Sequence, residues 1–326
     1  MAKFFWIVLS IVWLLFDGGV DTAFSEGKTM LDKKLIMQNL HGHLTMLTQT
    51  IGERSVIKKE NLQKTVAYLQ DQFQVYGLAV ERQSYAYKDM EASNVVARFQ
   101  PESKPASHFV LGAHYDSVAG TVGADDNASA VAVLLETARI MQAGRHNPDG
   151  KLQITFVAFA LEEPPVFNTP DMGSRVFAKA AHESSVEIDG MICLEMVGYT
   201  CREPGCQQFP FPLQFFGYPD TGDFIGIVGN VKSFGLTRRL KKAFLQNPSL
   251  PVVSLTVPFN GWIMPAVRLS DHASFWDKGY RAVMLTDSAF FRNPHYHKPS
   301  DTMQTLDFAY MAEIVKSLVV FFNSMQ

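Results

Sequence analysis

The stretch "HFVLGAHYDSVAGTVGADDNASAVAVLLETARIMQA", residues 108–143, decides the fold. It opens with an apolar run that predicts a buried strand, and it closes with the apolar periodicity of a helix. Between the two lie His114, Asp116, Asp125 and Asp126. Carboxylates this close together repel one another and lose hydration when buried, so a cation, a helix terminus or water must compensate them.

The rest of the chain continues this alternation of apolar runs and helical patterns. Strands without polar alternation, separated by helices, are typical of a sheet covered on both faces. We therefore predict an α/β fold, a three-layer sandwich with a mixed, mainly parallel central sheet. The predicted strands are residues 78–87 (an exposed or edge strand), 93–99, 108–116, 152–163, 189–199, 224–230 and 281–287. The predicted helices are residues 36–47, 60–76, 128–143, 173–182, 233–246 and 306–323.

The composition limits the size and the partners of this fold. With 326 residues, 47% of them hydrophobic, the chain can bury a substantial core, and we predict residues 26–326 as a single catalytic domain. A net charge of -3 gives no support for nucleic-acid binding, which needs a concentrated basic face. The one basic run, residues 238–242, is predicted to be a solvated helix face.

The N-terminus has the pattern of a targeting segment. Lys3 precedes an apolar block at residues 4–16, whose helix would rise only about 20 Å, short of the roughly 30 Å of a bilayer core. We predict residues 1–25 as a signal peptide cleaved after Ser25, and therefore export to the periplasm or the extracellular space. A retained membrane anchor is the alternative, since Ala23 and Ser25 make an imperfect cleavage signal.

The three cysteines are too few for a disulfide framework or a cysteine zinc site. Cys201 and Cys206 flank a Pro-Gly turn and are close enough to form one disulfide in an oxidising compartment. Cys193 lies in an apolar run and is predicted to be a small core residue.

Polar residues follow three predicted strands at the edge where ligands bind in open α/β sheets. His114 offers a nitrogen ligand for a metal, and Asp116 can orient its ring. Glu162 and Glu163 are adjacent, so one can bind metal while the other accepts a proton from water. With Glu195 and a later histidine, these residues predict a nitrogen and oxygen site suited to zinc.

Six segments together resemble the co-catalytic zinc aminopeptidases, whose clan also includes glutamate carboxypeptidase II and glutaminyl cyclase. The segments are "GAHYDS", "GADDNASA", "LEEP…MGS", "CLEMVGY", "SDHASFWDKGY" and "YHKPSDT". The resemblance covers roughly residues 90–322 and implies a zinc-exopeptidase type of fold. It also implies an aminopeptidase that uses two zinc ions on peptide substrates, with no obligate protein partner.

The resemblance assigns a role to each matching residue. It implies five zinc ligands, of which Asp126 bridges both ions: His114, Asp126, Glu163, Glu195 and His297. Glu162 would be the general base, and Asp116 would orient a ligand. Tyr296 would either donate a hydrogen bond to the developing oxyanion or simply pack against its neighbours. His297 is favoured over His295 by its spacing to the Asp-Thr pair that follows.

Some nearby residues are expected to lie outside the ligand set. Asp125 and Asn127 are predicted as turn and helix-cap residues, and His272 as structural or adjacent to the ligands. The remaining histidines have no companions that suggest a site, and the first two are expected at the surface of the N-terminal helix: His41, His43, His108, His146 and His182. The aromatic side chains of residues 209–218 either form an apolar substrate wall or pack their loop onto the domain.

Two departures from the family pattern affect the site. Glu195 stands where the family most often has aspartate, and its longer arm can alter metal geometry. Three prolines stiffen a longer loop after Glu163, so substrate access there can differ.

Two other functions stay open. Glutaminyl-peptide cyclisation on the same fold uses one zinc, and receptor-like relatives have lost the metals altogether. Residues 112–130 follow the peptidase form, and all five ligand positions are filled, which favours hydrolysis. No HExxH motif is present to support a helix-borne zinc site.

Overall fold

The computed structural model describes residues 31–101, 104–144, 151–211 and 213–325. The strands are β1 (Ala79–Tyr87), β2 (Met90–Phe99), β3 (Ser107–His114), β4 (Leu152–Phe159), β5 (Gly190–Glu195), β6 (Ile225–Asn230), β7 (Val252–Val257) and β8 (Ala282–Thr286). The helices are α1 (Lys33–Leu44), α2 (Lys59–Val75), α3 (Ala130–Ala143), α4 (Gly173–Glu183), α5 (Phe234–Phe244), α6 (His272–Asp277) and α7 (Phe308–Asn323). The predicted leader and His146 lie outside the described residues.

The strands form one mixed sheet with the order β1-β2-β4-β3-β5-β8-β6-β7. The central strands β4, β3, β5 and β8 are parallel, whereas β2 and β6 run antiparallel to their inner neighbours. The β1 strand lies at one edge, as its alternating sequence predicted. The α/β prediction with a mixed sheet is confirmed.

Helices cover the sheet on both faces, because the central strands are apolar on both sides. One core layer joins the sheet to α1, α2, α3, α5 and α7, with Phe73, Leu134, Leu236 and Phe321 among its buried side chains. The opposite layer is smaller and packs α4 and α6 against the sheet. None of the described helices is both long and apolar enough to cross a membrane.

Two elements were missed by the sequence prediction. The β7 strand is a half-buried edge strand between Pro251 and Pro258, and its β-branched residues were a usable signal. The α6 helix has only six residues, which is too short for apolar periodicity to identify.

The sheet topology sets the place of the candidate site. Because β4, β3 and β5 are parallel neighbours, their carboxyl ends meet at one edge of the sheet. The β3 strand ends at His114 and β5 ends at Glu195, while Glu162 and Glu163 follow β4 within four residues. Four candidate residues therefore converge from three strands.

The loop after β4 returns to the sheet at Gly173. The Gly173 N–H donates to the Ala160 carbonyl at 2.7 Å, and Asn94 of β2 binds the backbone of both residues. A Cβ at Gly173 would lie 2.3 Å from the Ala160 oxygen and from Asn94 Oδ1. Only glycine allows α4 to begin so close to the end of β4.

We therefore expect Gly173→Ala to lower the free energy of unfolding by about 1–3 kcal/mol, because backbone atoms must move to accept the methyl group. Gly235→Ala is the matched control, since a Cβ there has no described atom within 4 Å and alanine favours a helix. Denaturant unfolding of both variants tests this, and equal stability would contradict it.

Candidate active site

The centre of the site is the buried ring of His114. Its Nε2 lies 3.5 Å from Asp126 Oδ1, 3.5 Å from Glu195 Oε2 and 3.9 Å from Glu162 Oε2. Neither ring nitrogen has a hydrogen-bond partner among the described residues. A fully buried imidazole with no partner and three carboxylates around it is a side chain arranged to bind a cation.

A second histidine approaches Asp126 from the other side. His297 Nε2 lies 3.2 Å from Asp126 Oδ2 and 3.3 Å from Glu163 Oε2. His295 points elsewhere, and its Nδ1 is 2.9 Å from Ser300 Oγ. Of the two histidines in this segment, His297 is the one that the fold brings to the carboxylates.

These contacts form two sets of donor atoms that share Asp126. One set holds His114 and Glu195, and the other holds His297 and Glu163. Ligands at about 2.0–2.1 Å in tetrahedral geometry lie roughly 3.3 Å from one another. The four nitrogen–oxygen distances within the sets, 3.2 to 3.5 Å, agree with that spacing. The residues present therefore fit zinc in both chemistry and spacing.

The carboxylates of the site are far from water, and their pKa values reflect it. Burial raises the pKa of Glu162 and Glu195, and it raises that of Glu163 to about 8. Burial alone would lower the pKa of His297, but Asp126 and Glu163 raise it to about 10. The raised pKa of His297 shows that the carboxylates beside it favour a positive charge at this position.

Asp116 holds the loop that carries the two glutamates. Its two oxygens accept hydrogen bonds from the backbone N–H groups of Glu162 at 3.0 Å and Glu163 at 2.9 Å. Asp116 Oδ1 lies 3.4 Å from His114 Nδ1, which makes the contact with the ring the weaker one. Its main role is to fix the glutamate backbone rather than the histidine tautomer.

The interpretation of Asp125 and Asn127 as turn and helix-cap residues was wrong. Neither side chain caps a helix. Asn127 binds the end of β5, donating to the Leu194 carbonyl at 3.1 Å and accepting from the Met196 N–H at 2.9 Å. Asp125 accepts from the Gly198 N–H at 2.9 Å. Both tie the Asp126 loop to the chain beyond Glu195, which no local pattern reveals.

Asp301 was missed, although it lies in the quoted "PSDT" segment. Its carboxylate accepts from the backbone N–H groups of Asp125 at 2.8 Å and Asp126 at 3.1 Å. It therefore links the loop that carries His297 to the loop that carries Asp126.

Three residues next to the site have left-handed backbones without being glycine. Leu161 (φ 56°) precedes the two glutamates, Met196 (φ 46°) follows Glu195, and His297 itself has φ 56°. Such conformations cost about 1–3 kcal/mol each and persist where surrounding contacts impose them. Their position at three ligand segments indicates that the backbone is constrained to aim these side chains.

The comparisons with known proteins agree with this geometry. Residues 94–321 match the profile of Peptidase family M28. This chain belongs to peptidase family M28.

Two relatives show how widely the similarity extends. The uncharacterized protein YfbL of Escherichia coli K12 is 38% identical over 296 residues, covering 88% of each chain. Leucine aminopeptidase 1 of Fusarium vanettenii is 26% identical over 230 residues, and this chain spans about half (52%) of that protein.

Solved structures support the fold. The Legionella pneumophila LapA aminopeptidase matches with a TM-score of 0.71 at 20% identity, over 94% of this chain and 77% of that one. Porphyromonas gingivalis glutaminyl cyclase matches with a TM-score of 0.65 at 17% identity, over 91% of this chain and 99% of that one.

An apolar pocket of about 110 Å³ opens beside Glu195 and Tyr296 in this M28 peptidase. Phe209 and Tyr218 line it, whereas three other aromatic residues of the same loop are largely exposed: Phe211, Phe215 and Phe216. Only part of the loop at residues 209–218 therefore lines the pocket as the predicted apolar wall. Cys201 and Cys206, at the start of this loop, are joined as a disulfide.

His272 and His43, which lie outside the ligand sets, are both buried. His272 is buried, with its Nε2 2.8 Å from the Val267 carbonyl and its ring against Trp276. His43 lies 2.6 Å from the Tyr68 hydroxyl, so it is a core residue and not the surface residue that its sequence suggested.

Arg54 lies outside the matched segment and was not identified from the sequence. It is fully buried, and its guanidinium donates hydrogen bonds only to backbone carbonyls. Its five acceptors are Leu47, Gly52, Tyr115, Val122 and Gly123, at 2.7 to 3.1 Å. Burial lowers the pKa of Arg54 to about 10, so the group stays charged at neutral pH. It fixes the loop between His114 and Asp126 and adds a permanent positive charge nearby.

We expect Arg54→Met to lower the free energy of unfolding by at least about 3 kcal/mol, because several buried carbonyls each lose a donor at about 1–3 kcal/mol. Arg54→Lys should be intermediate, since lysine keeps the charge but has fewer donors. Denaturant unfolding is the measurement, with the exposed Arg238→Met on α5 as the control, expected to change stability by less than about 0.5 kcal/mol. Equal effects of the two methionine variants would contradict this role.

Proposed function

We propose that this M28 peptidase is an aminopeptidase that uses two zinc ions to remove N-terminal residues from peptides. The observation that carries the proposal is the pair of donor sets that share Asp126. His114 and Glu195 would hold one zinc, and His297 and Glu163 the other. When bound, zinc supplies Lewis-acid activation of water and of the scissile carbonyl.

Glu162 is the residue proposed to move the proton. Its Oε2 is 3.9 Å from His114 Nε2, so it lies beside the donor sets without belonging to either. Burial raises its pKa, which suits a carboxylate that takes a proton from water and passes it on to the leaving amine nitrogen. The hydrogen bond from its backbone N–H to Asp116 keeps the residue in place.

Tyr296 is proposed to donate a hydrogen bond to the substrate carbonyl oxygen as that oxygen gains negative charge. Its ring stacks on His297 with centroids 3.8 Å apart, and it lines the pocket beside Glu195. Burial and the nearby carboxylates raise its pKa, so the hydroxyl keeps its proton at neutral pH.

The pocket beside Glu195 favours an apolar N-terminal side chain. Its lining is mainly apolar, with Ile227, Leu255 and Met284 among the residues that form it. A substrate's charged amino group would lie near the Glu195 end, and its side chain would fill the apolar part.

The N-terminal sequence leads us to propose export, with association with a membrane only if residues 4–16 are retained as an anchor. Peptides are the proposed substrates. We propose no nucleic-acid partner and no obligate protein partner.

Glutaminyl-peptide cyclisation and an inactive binding role are the other outcomes to test. The resemblance associates the cyclases with one zinc, whereas both donor sets are complete here. Metal analysis of purified protein therefore separates the functions: two zinc ions per chain support the peptidase and one supports the cyclase. A chain that binds none would be a binding protein.

Zinc-loaded protein should release free amino acids from leucyl- and phenylalanyl-arylamides faster than from glutamyl- or lysyl-arylamides. We expect the Glu162→Gln variant to bind zinc as the parent protein does. Its kcat should be about 10²- to 10⁴-fold lower, because the amide cannot take the proton.

Two variants control this experiment. Glu163→Gln should lose zinc as well as activity, and the exposed Glu183→Gln should change neither. Turnover by Glu162→Gln within tenfold of the parent protein would refute the assigned base.

The hydroxyl of Tyr296 has its own test. We expect Tyr296→Phe to lower kcat by about 10²-fold with little change in KM, because the ring still packs on His297 while the donor is lost. Tyr218→Phe in the same pocket should leave kcat within twofold. If the two variants behave alike, Tyr296 is a packing residue.

A further inference from the structure

A second cavity lies next to the apolar pocket. It has a volume of about 170 Å³ and lies between the loop after Glu163 and the segment before α6. Leu269 lines both cavities. Ser270, on the wall of the second cavity, donates to Glu195 Oε2 at 2.5 Å. A substrate whose N-terminal residue fills the apolar pocket would extend past this hydrogen bond toward the second cavity.

The second cavity is lined by positively charged side chains, whereas the apolar pocket is lined by the acidic Glu195. Among the described residues that line it are two arginines, Arg175 and Arg268, and no carboxylate. One acidic side chain pairs with both: Asp277 Oδ1 accepts from Arg268 at 2.7 Å and Asp277 Oδ2 from Arg175 at 3.4 Å. Two guanidinium groups against one carboxylate leave one unit of positive charge at the cavity.

Both arginines are held in place by neighbouring side chains, and Arg175 still has a hydrogen-bond donor without an acceptor. The side chain of Arg268 is only 8% exposed, and its guanidinium stacks on the Trp262 ring at 3.8 Å. Arg175 also donates to Asn168. The Nε–H of Arg175 is buried and has no hydrogen-bond partner within the described chain. A buried guanidinium N–H without an acceptor indicates a place for one from outside the protein.

The cleft is therefore negative at Glu195 and positive at Arg175 and Arg268. We propose that the second cavity binds the free C-terminal carboxylate of a short peptide, so that this enzyme prefers dipeptides and tripeptides. The inference rests on the proposed aminopeptidase function, because it needs the peptide's N-terminal residue in the apolar pocket. A short zwitterionic peptide complements both ends of the cleft, whereas a long peptide places no charge at the second cavity.

The test compares three substrates on the zinc-loaded full chain: Leu-Ala, Leu-Ala-amide and Leu-Glu-amide. We expect kcat/KM for Leu-Ala to exceed that for Leu-Ala-amide by about 10- to 100-fold, the range of a charge-assisted hydrogen bond. Leu-Glu-amide carries its carboxylate on the second side chain, so low activity on it supports recognition of the C-terminus. If it is cleaved as fast as Leu-Ala, the assignment to the C-terminus is overturned.

Variants of Arg175 and of a control residue then test which side chain recognises the C-terminal carboxylate. Arg175→Gln should reduce the Leu-Ala to Leu-Ala-amide ratio to within about threefold of unity, mainly through KM, and Arg175→Lys should restore part of it. Lys179→Gln, exposed one turn further along α4, should keep the parent ratio.

Two further results would refute the inference in distinguishable ways. Equal kcat/KM for Leu-Ala and its amide in the parent protein overturns this inference while the aminopeptidase function stands. If leucyl-arylamide and all three peptides resist hydrolysis, the proposed function fails and this inference fails with it.

Discussion

The burial of like charges is the constraint on which the rest of this site depends. Four acidic residues, Asp126, Glu162, Glu163 and Glu195, are each less than 8% exposed and lie around two imidazoles. Removing a single carboxylate from water costs several kcal/mol unless charge or hydrogen bonds replace the lost hydration. The residues that could neutralise them, His114 and His297, are themselves placed at metal-ligand spacing. The two zinc ions that we propose would supply the missing positive charge at these distances.

Around this cluster, a second group of polar side chains binds backbone and leaves the ligand atoms free. Asp116 holds the N–H groups of both glutamates, Asp301 holds that of Asp126, and Asn127 holds the backbone after Glu195. The Arg54 guanidinium likewise donates only to backbone carbonyls. Hydrogen bonds to the backbone fix each ligand without occupying the lone pairs that a metal needs. This division explains why both ring nitrogens of His114 and one oxygen of Glu163 stay unpartnered in an otherwise satisfied interior.

The parts predictable from sequence were those with a local signal. Apolar runs identified the central strands, and their parallel arrangement brought His114, Glu163 and Glu195 to one edge, as the rule for open sheets predicts. The roles of Asn127 and Arg54 depend on chain segments distant in sequence, so no periodicity or spacing could reveal them. The half-buried β7 and the single-turn α6 were missed because each is too short or too exposed for a clear apolar pattern.

Glu195 shows how one unusual residue connects the chemistry of the site to its shape. A glutamate reaches one methylene further than the aspartate usual in the family, and a flexible longer arm would position a ligand poorly. The Ser270 hydroxyl removes that freedom by donating to Glu195 Oε2, while the same oxygen stays 3.5 Å from His114 Nε2. Ser270 also lies on the wall of the arginine-lined cavity. The side chain that holds Glu195 in place therefore also connects the proposed zinc site to the arginine-lined cavity.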